Sequence, residues 1–321
     1  MTADQPGALL LAGPTASGKS ALALAIAERL GGTVINADSM QLYRELSILT
    51  ARPTPEEEAR APHRLYGVRP AAEAASVAWW RAAALAEMAA ARAAGRLPVL
   101  CGGTGLYFAA LTRGLSDIPP VPAAAREEAR RLLAAEGPAA LHARLAAVDP
   151  GTAGRLRPSD SQRIARAWEV WRGTGRGLAA WQAAGGSGPA PWRFFAILLD
   201  PPREALRAAI AARWQAMLAA GALEEVRALL ALGLDPALPA MRAHGVPELA
   251  AHLAGRMTLA EASRRAILNI GQYTKRQATW FRHHALADPP RAHTIHARIA
   301  DVAQFSKRML AEVFTFIDRM R

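Results

Sequence analysis

Gly13-Pro14-Thr15-Ala16-Ser17-Gly18-Lys19-Ser20 fits the spacing G-x-x-x-x-G-K-[ST] at every fixed position. Such a run holds phosphate, because successive backbone N–H groups and the positive end of the following helix face anionic oxygens. Lys19 is placed to reach the outer phosphates, and the Ser20 hydroxyl to hold Mg²⁺. The apolar run Ala8-Leu9-Leu10-Leu11-Ala12 precedes the motif, and an Ala/Leu-rich helix ending at Gly31-Gly32 follows it. That strand–loop–helix context separates a phosphate loop from a chance glycine turn.

Asp38 follows a β-branched run, Thr33-Val34-Ile35-Asn36-Ala37, at the strand end where open parallel sheets place their ligands. A carboxylate beside a phosphate loop is disfavoured by like charge and needs a task. It can hold magnesium, take a proton from a nucleophile, or simply cap a following helix. A third strand, Leu97-Pro98-Val99-Leu100-Cys101, ends in Gly102-Gly103-Thr104-Gly105. Nucleotide hydrolases of this class carry an acid there. Its absence counts against ATP hydrolysis; glycines imply a backbone close to a ligand, with Thr104 offering a hydroxyl. Further on, Arg213 shares an apolar helix face with Leu206, Ile210 and Met217. An arginine so placed calls for an anion, either a protein carboxylate or a ligand phosphate.

A second group of residues suits a larger partner. In Asp160-Ser161-Gln162-Arg163-Ile164-Ala165-Arg166, the side chains of Gln162, Arg163 and Arg166 stack within one turn, with Trp168 and Trp171 beyond. Helical cations and amides of this kind suit phosphate and base-edge contacts, or form a solvated basic face. The last long helix opens at a capping box, Thr258-Leu259-Ala260-Glu261. It interleaves Arg264, Arg265, Lys275, Arg276 and Arg282 with Tyr273, Trp280 and Phe281, a pattern suited to a nucleic-acid backbone with exposed bases. His283, His284, His293 and His296 lack metal-ligand spacing and read as surface residues. The single cysteine, Cys101, excludes an internal disulfide and a cysteine-rich metal site.

The elements that must position these groups come from a chain of 321 residues, enough for one large domain or two smaller ones. Residues 1–117 read as the first part of a catalytic core. Residues 118–192 read as a helical insertion, bounded by Pro119, Pro120 and Pro122 and by the flexible link Ala183-Ala184-Gly185-Gly186-Ser187-Gly188-Pro189. Residues 193–321 return to the core through the strand Arg193–Asp200 and a helix begun at Pro202. Residues 50–70 read as loop, Ser76–Ala94 as helix, Pro239–Glu248 as a turn between helices, and the stretch after about residue 285 as a helical tail. The fold class is α/β: a P-loop NTPase-like parallel sheet flanked by helices, with an all-helical insertion domain.

Lys and Arg total 39 against 27 Asp and Glu, a net charge of +12 that favours a polyanionic partner such as nucleic acid. Lysine is confined to Lys19, Lys275 and Lys307 while Ala and Arg abound, a bias that a GC-rich genome also imposes. No apolar run approaches the ~20 residues of a membrane span, and Met1–Pro6 lacks the basic start of a signal peptide. The expectation is a cytoplasmic monomer without a membrane partner.

Several stretches together resemble one family, the tRNA dimethylallyltransferases, also called tRNA isopentenyltransferases. They are Gly13–Ser20, Asp38-Ser39 with Gln41 and Tyr43, Thr50-Ala51-Arg52-Pro53, and Ala61-Pro62-His63-Arg64-Leu65. Gly102-Gly103-Thr104 with Leu106-Tyr107-Phe108 follows, then Asp160–Glu169, Arg213–Met217, and Lys275-Arg276-Gln277 with Thr279-Trp280. Order and spacing hold over roughly residues 8–285.

The resemblance implies transfer of a dimethylallyl group from dimethylallyl diphosphate to the exocyclic N6 of the adenosine 3′-adjacent to the anticodon in tRNA, with Mg²⁺ as cofactor. A stacked adenine cannot reach a buried donor, so the base must turn out. By resemblance, Asp38 is the general base, and Thr104 orients the amine or bridges to the diphosphate. Arg213 and Lys19 would offset charge on the departing diphosphate. The implied tRNA contacts are Ser39, Met40 and Gln41 beside Asp38 and Thr104. Arg126, Gln162, Arg163, Ile164, Ala165 and Arg166 supply a second set, and the turn Arg242, Ala243, His244, Gly245, Val246, Pro247 a third. The family's turn has tyrosine and a basic residue where Val246 and Pro247 stand, and Pro247 removes a backbone donor. Gly271 replaces a usual arginine, and Arg52 a usual lysine. Two other readings remain open: a P-loop small-molecule kinase with Asp38 as base, and a non-enzymatic RNA-binding nucleotide sensor. The kinase reading accounts for the first 120 residues but not for the basic insertion or the Lys275–Trp280 stretch.

Overall fold

The computed structural model describes residues 5–300 and 307–318. Ala8 to Ala12 are fully buried in succession, as a strand covered on both faces requires. They lie in β1 (Gly7–Ala12), with β2 (Gly32–Asn36), β3 (His63–Arg64) and β4 (Leu97–Gly102) following in sequence. Two short strands, β5 (Leu115–Ser116) and β6 (Gly186–Ser187), pair antiparallel with each other. The main sheet is completed by β7 (Arg193–Leu199) and β8 (Ala292–Ile295) in the order β3-β2-β4-β1-β7-β8, parallel throughout.

The chain forms two compact units, residues 1–112 with 190–321, and residues 113–189. In the first, the pleat of β1 sorts its side chains into two cores. Leu9 and Leu11 pack with Leu22 and Ile26 of α1 (Lys19–Leu30). Between that helix and the next core element lies α2 (Pro55–Arg60). Ala8, Leu10 and Ala12 pack on the other face with Trp80 and Met88 of α3 (Val77–Ala93) and Phe108 of α4 (Gly105–Thr112). Each fully buried leucine here contributes about 1.5–3 kcal/mol.

Two segments differ from the sequence expectation. Residues 50–70 are not loop throughout, since they hold α2 and β3. The helix starts at a complete capping box, in which Glu57 N donates to Thr54 Oγ1 (3.3 Å) and Thr54 N to Glu57 Oε2 (2.9 Å). The stretch after 285 is not simply a helical tail. It returns to the sheet as β8, in register with β7 from Ala196↔Ala292 to Leu199↔Ile295.

The second unit is helical apart from β5 and β6, so the Gly186-Ser187 link is itself paired. Its helices are α5 (Ala123–Val148), α6 (Pro150–Ala153), α7 (Ser161–Thr174) and α8 (Leu178–Ala183). The first of these breaks at Gly137 (φ 79°), immediately before Pro138. Leu141, Leu145, Ile164 and Trp168 form its core. Back in the first unit come α9 (Arg203–Ala219), α10 (Ala222–Ala231), α11 (Val246–Leu253), α12 (Leu259–His283) and α13 (Lys307–Asp318). Val313, Phe314, Phe316 and Ile317 of α13 join the core beneath β1.

Candidate active site

The carboxyl ends of β1, β2 and β4 are adjacent in the sheet, so the loops they deliver meet at one edge. The loop after β1 needs left-handed backbone at Ala16 (φ 66°) and Gly18 (φ 93°) to turn its N–H groups inward. It closes with Ser17 N on Pro14 O (3.2 Å), and Lys19 Nζ folds back to the same carbonyl at 3.4 Å. Gln277, from α12, ties two of these loops together. Its Oε1 accepts from Thr15 N (2.9 Å) and Thr15 Oγ1 (3.1 Å), while its Nε2 donates to Gly103 O (2.9 Å).

Asp38 caps no helix, for none follows it. Its Oδ1 accepts from Met40 N (3.0 Å) in a local turn, and Asn36 Oδ1 accepts from Asp38 N (2.8 Å). Thr104 Oγ1 accepts from Ser39 N (3.0 Å) and donates to Ser39 Oγ (3.4 Å), joining the ends of β2 and β4. The glycines at the end of β4 pack closely against protein neighbours. A Cβ on Gly102 would lie 2.0 Å from Ala37 O, and one on Gly103 2.2 Å from Gln277 Nε2.

The phosphate loop and Asp38 open into one cleft. Thr15, Lys19, Ser20, Asp38 and Arg213 supply its polar part, and Leu49, Ile210, Trp214, Met217 and Ile270 an apolar wall. Leu206, Ile210 and Met217 are buried on one face of α9, as the spacing predicts. Arg213, half-buried by exposed area yet enclosed by the cleft walls, makes no ion pair within 4.0 Å among the described residues. Its Nη2 donates to Thr50 O at 3.3 Å. Among the described residues no carboxylate stands within pairing distance of it, although the Asp38 charge acts on it.

Burial pushes the Lys19 ammonium below the ordinary lysine range, opposed by Cys101 and Asp38. Burial lowers Arg213 likewise, with Asp38 opposing. The Cys101 thiol behind the loop is pushed up to about 12 by burial and stays protonated. Burial also raises Tyr273 and lowers His244, whose rings sit 4.7 Å apart on the cleft wall. Tyr273 thus remains a neutral hydroxyl beside Thr104 and Gln277.

Of the expected contacts, Met40, Gln41, Ala243 and His244 line the cleft. Arg242 and Pro247 line a neighbouring open pocket with Glu248, Asn269, Gln272 and Arg276. The Pro239–Glu248 turn is in part helix: Gly245 (φ 97°) precedes α11, and Val246 is buried. Pro247 stands in the first helical turn, where its missing N–H has no intrahelical partner to lose. Ser39 and Thr104 bond to each other at the ends of β2 and β4, and the remaining expected contacts lie in the second unit. Arg126, Gln162, Arg163 and Arg166 are exposed there, Ala165 is half-buried, and Ile164 is fully buried in its core. The roles of Gln277, Tyr273 and Trp214 escaped the sequence reading; the i, i+4 pair Tyr273 and Gln277 on α12 was the available signal. His283 and His296 are exposed as expected, while His284 stacks on Trp280 with centroids 4.3 Å apart. The described residues hold no group of three or more His, Cys, Asp or Glu placed for a metal, and no helix long and apolar enough to cross a membrane.

A family model described as IPP transferase matches residues 41–284, and one described as isopentenyl transferase matches residues 6–73. The tRNA dimethylallyltransferase of Acidiphilium cryptum (strain JF-5) is 63% identical over 310 residues, spanning 97% of this chain and 94% of that protein. Its counterpart in Granulibacter bethesdensis is 62% identical over 313 residues, spanning 97% of each. Among solved structures, the tRNA isopentenylpyrophosphate transferase of Bacillus halodurans matches with TM-score 0.69 and 31% identity, over 99% of this chain and 97% of that one. A eukaryotic dimethylallyltransferase, captured acting on tRNA, shares the fold with TM-score 0.78 at 22% identity, over 98% of this chain and 80% of its own.

Proposed function

The chain belongs to the tRNA dimethylallyltransferase family, and from that premise we propose that it moves a dimethylallyl group from dimethylallyl diphosphate to N6 of the adenosine 3′-adjacent to the tRNA anticodon. The observation that carries this reading is the division of one cleft into a phosphate loop with an unpaired arginine, a carboxylate, and an apolar wall. The loop N–H groups and Lys19 hold the diphosphate, and the five-carbon chain lies against the wall. The adenosine is turned out of its stack to present N6. As the donor's carbon–oxygen bond breaks, Lys19 and Arg213 stabilise the charge passing to the diphosphate oxygen. N6 bonds to the freed allylic carbon, and Asp38 takes its proton. Thr104, fixed by Ser39, orients the amine.

The Ser20 hydroxyl is exposed in the cleft that Asp38 also lines, which fits Mg²⁺, an ion that takes most of its ligands from phosphates and water. When bound, it neutralises diphosphate charge. The same reading makes the protein a cytoplasmic monomer. The experiment is incubation of purified protein with dimethylallyl diphosphate, Mg²⁺ and unmodified tRNA, followed by nucleoside mass analysis. One isopentenyl group gained on adenosine is expected. Asp38→Ala should lose at least about 100-fold in rate, the usual scale of a general base, with tRNA affinity nearly intact. A wild-type chain that adds nothing, or a variant that stops binding tRNA, overturns the reaction or the base respectively.

A further inference from the structure

The outer side of the phosphate loop is held by a segment that no motif marks. Beyond β8, Arg298 Nε donates to Ala16 O at 3.0 Å, and Ile299 N donates to Ser17 O at 3.0 Å. Gly18 packs so tightly on this segment that a Cβ there would lie 1.9 Å from Ile299 O. Among the loop's side chains, Thr15 bonds to Gln277 and Lys19 to the Pro14 carbonyl, whereas Ser17 is fully buried and its Oγ has no hydrogen-bond partner among the described residues. The carbonyls of Ala16 and Ser17 are held on the outer side by Arg298 and Ile299.

That shape has a physical cost. Turning successive N–H groups toward an anion turns the intervening carbonyls outward, where they need donors. Ala16, a non-glycine residue at φ 66°, is strained and persists only where its surroundings hold it. Arg298 and Ile299 supply donors to Ala16 and to the residue after it, from outside the cleft.

We propose that Arg298 is a positioning residue for the diphosphate site. By holding the Ala16 carbonyl outward, it keeps the loop's N–H groups facing the phosphate oxygens before the donor arrives. Arg298 does not line the cleft, so it acts through the loop and not on the substrate. The inference rests on the proposed reading of that cleft as a diphosphate site.

The test uses the full chain and inorganic pyrophosphate with Mg²⁺, titrated by calorimetry without tRNA. Arg298→Met removes the donor and should weaken pyrophosphate binding about tenfold, the loss expected for one hydrogen bond from a charged group. In turnover, the KM for dimethylallyl diphosphate should rise by the same factor, with kcat at saturation and tRNA affinity within about twofold of wild type. Arg298→Lys, which keeps a donor on a long stem, should recover most of the loss, and His296→Ala, at an exposed site nearby, should change nothing. Unchanged pyrophosphate affinity in Arg298→Met overturns the proposal. So does a parallel fall in tRNA affinity and melting temperature, which marks general destabilisation. Because pyrophosphate binding is read without transfer, a wild-type chain that fails to prenylate tRNA sinks the proposed reaction and leaves this test standing.

Discussion

Arg213 shows most directly what an enclosed cation demands of its surroundings. A guanidinium enclosed by Ile210, Trp214 and Met217, with a single 3.3 Å bond to a carbonyl, is costly in the free protein. Residues that await a charged ligand trade stability for function in this way. Arg213→Met should therefore raise the stability of the free protein by about 1 kcal/mol, the low end for replacing buried charge with apolar volume. The same variant should raise the KM for the diphosphate donor by about 100-fold, since an arginine–phosphate contact is lost. Urea unfolding and steady-state kinetics on one preparation measure both. A destabilised variant would mean that Arg213 is already paid back within the protein, and its assignment to the ligand would fall. The sequence left its anion open between a carboxylate and a phosphate, because spacing along a helix shows which face a residue shares but not what crosses the cleft.

At the scale of elements, the loop between β2 and α2 is a part of the cleft wall held by a distant helix. Ser47 N, Ile48 N and Leu49 N all donate to the Glu225 carboxylate of α10, at 2.6, 2.8 and 2.9 Å. Leu49 and Thr50 then line the cleft, and Thr50 O receives Arg213. Glu225→Ala strands three backbone donors and should cost about 2 kcal/mol, on the scale of partly buried groups left unpaired. It should also speed amide exchange at Ser47, Ile48 and Leu49 ahead of global unfolding. Exchange spread evenly over the sheet would show that Glu225 serves the core instead. This brace, 178 residues from Ser47 in sequence, explains what was legible and what was not. The phosphate loop, β1, β4, β7 and the capped helices carry their own signals: left-handed glycines, apolar runs and caps. Glu225, Gln277 and Arg298 bind backbone atoms, and a backbone N–H or C=O looks alike at every residue, so sequence marks neither end of the contact. The edge strand β8 was missed because four residues are too few to display a period, whereas α2 was missed despite its visible Thr54–Glu57 box.

For the whole molecule, the net charge of +12 sets what kind of partner is drawn in but not where it docks. Arg264, Arg265, Lys275, Arg276 and Arg282 are exposed on α12, and Arg126, Arg163 and Arg166 are exposed in the helical unit. Some of these cations already have local partners: Arg163 lies 3.5 Å from Asp160, and Arg166 3.2 Å from Glu169. Exposed pairs of this kind are worth little and are screened by salt, so a polyphosphate can displace the carboxylate. If Arg163 reaches a tRNA phosphate, it releases a counterion on binding. Arg163→Ala should then weaken tRNA binding severalfold and flatten the plot of log affinity against log salt by about one unit. Charge lost from a solvated face would leave that slope unchanged, because no counterion leaves a phosphate that the side chain never touched. A lower affinity with an unchanged slope would instead move Arg163 from the backbone to a base edge, where its hydrogen bonds read sequence and carry no counterion term. Filter-binding titrations of the variant and the wild type across the same salt series separate the three outcomes.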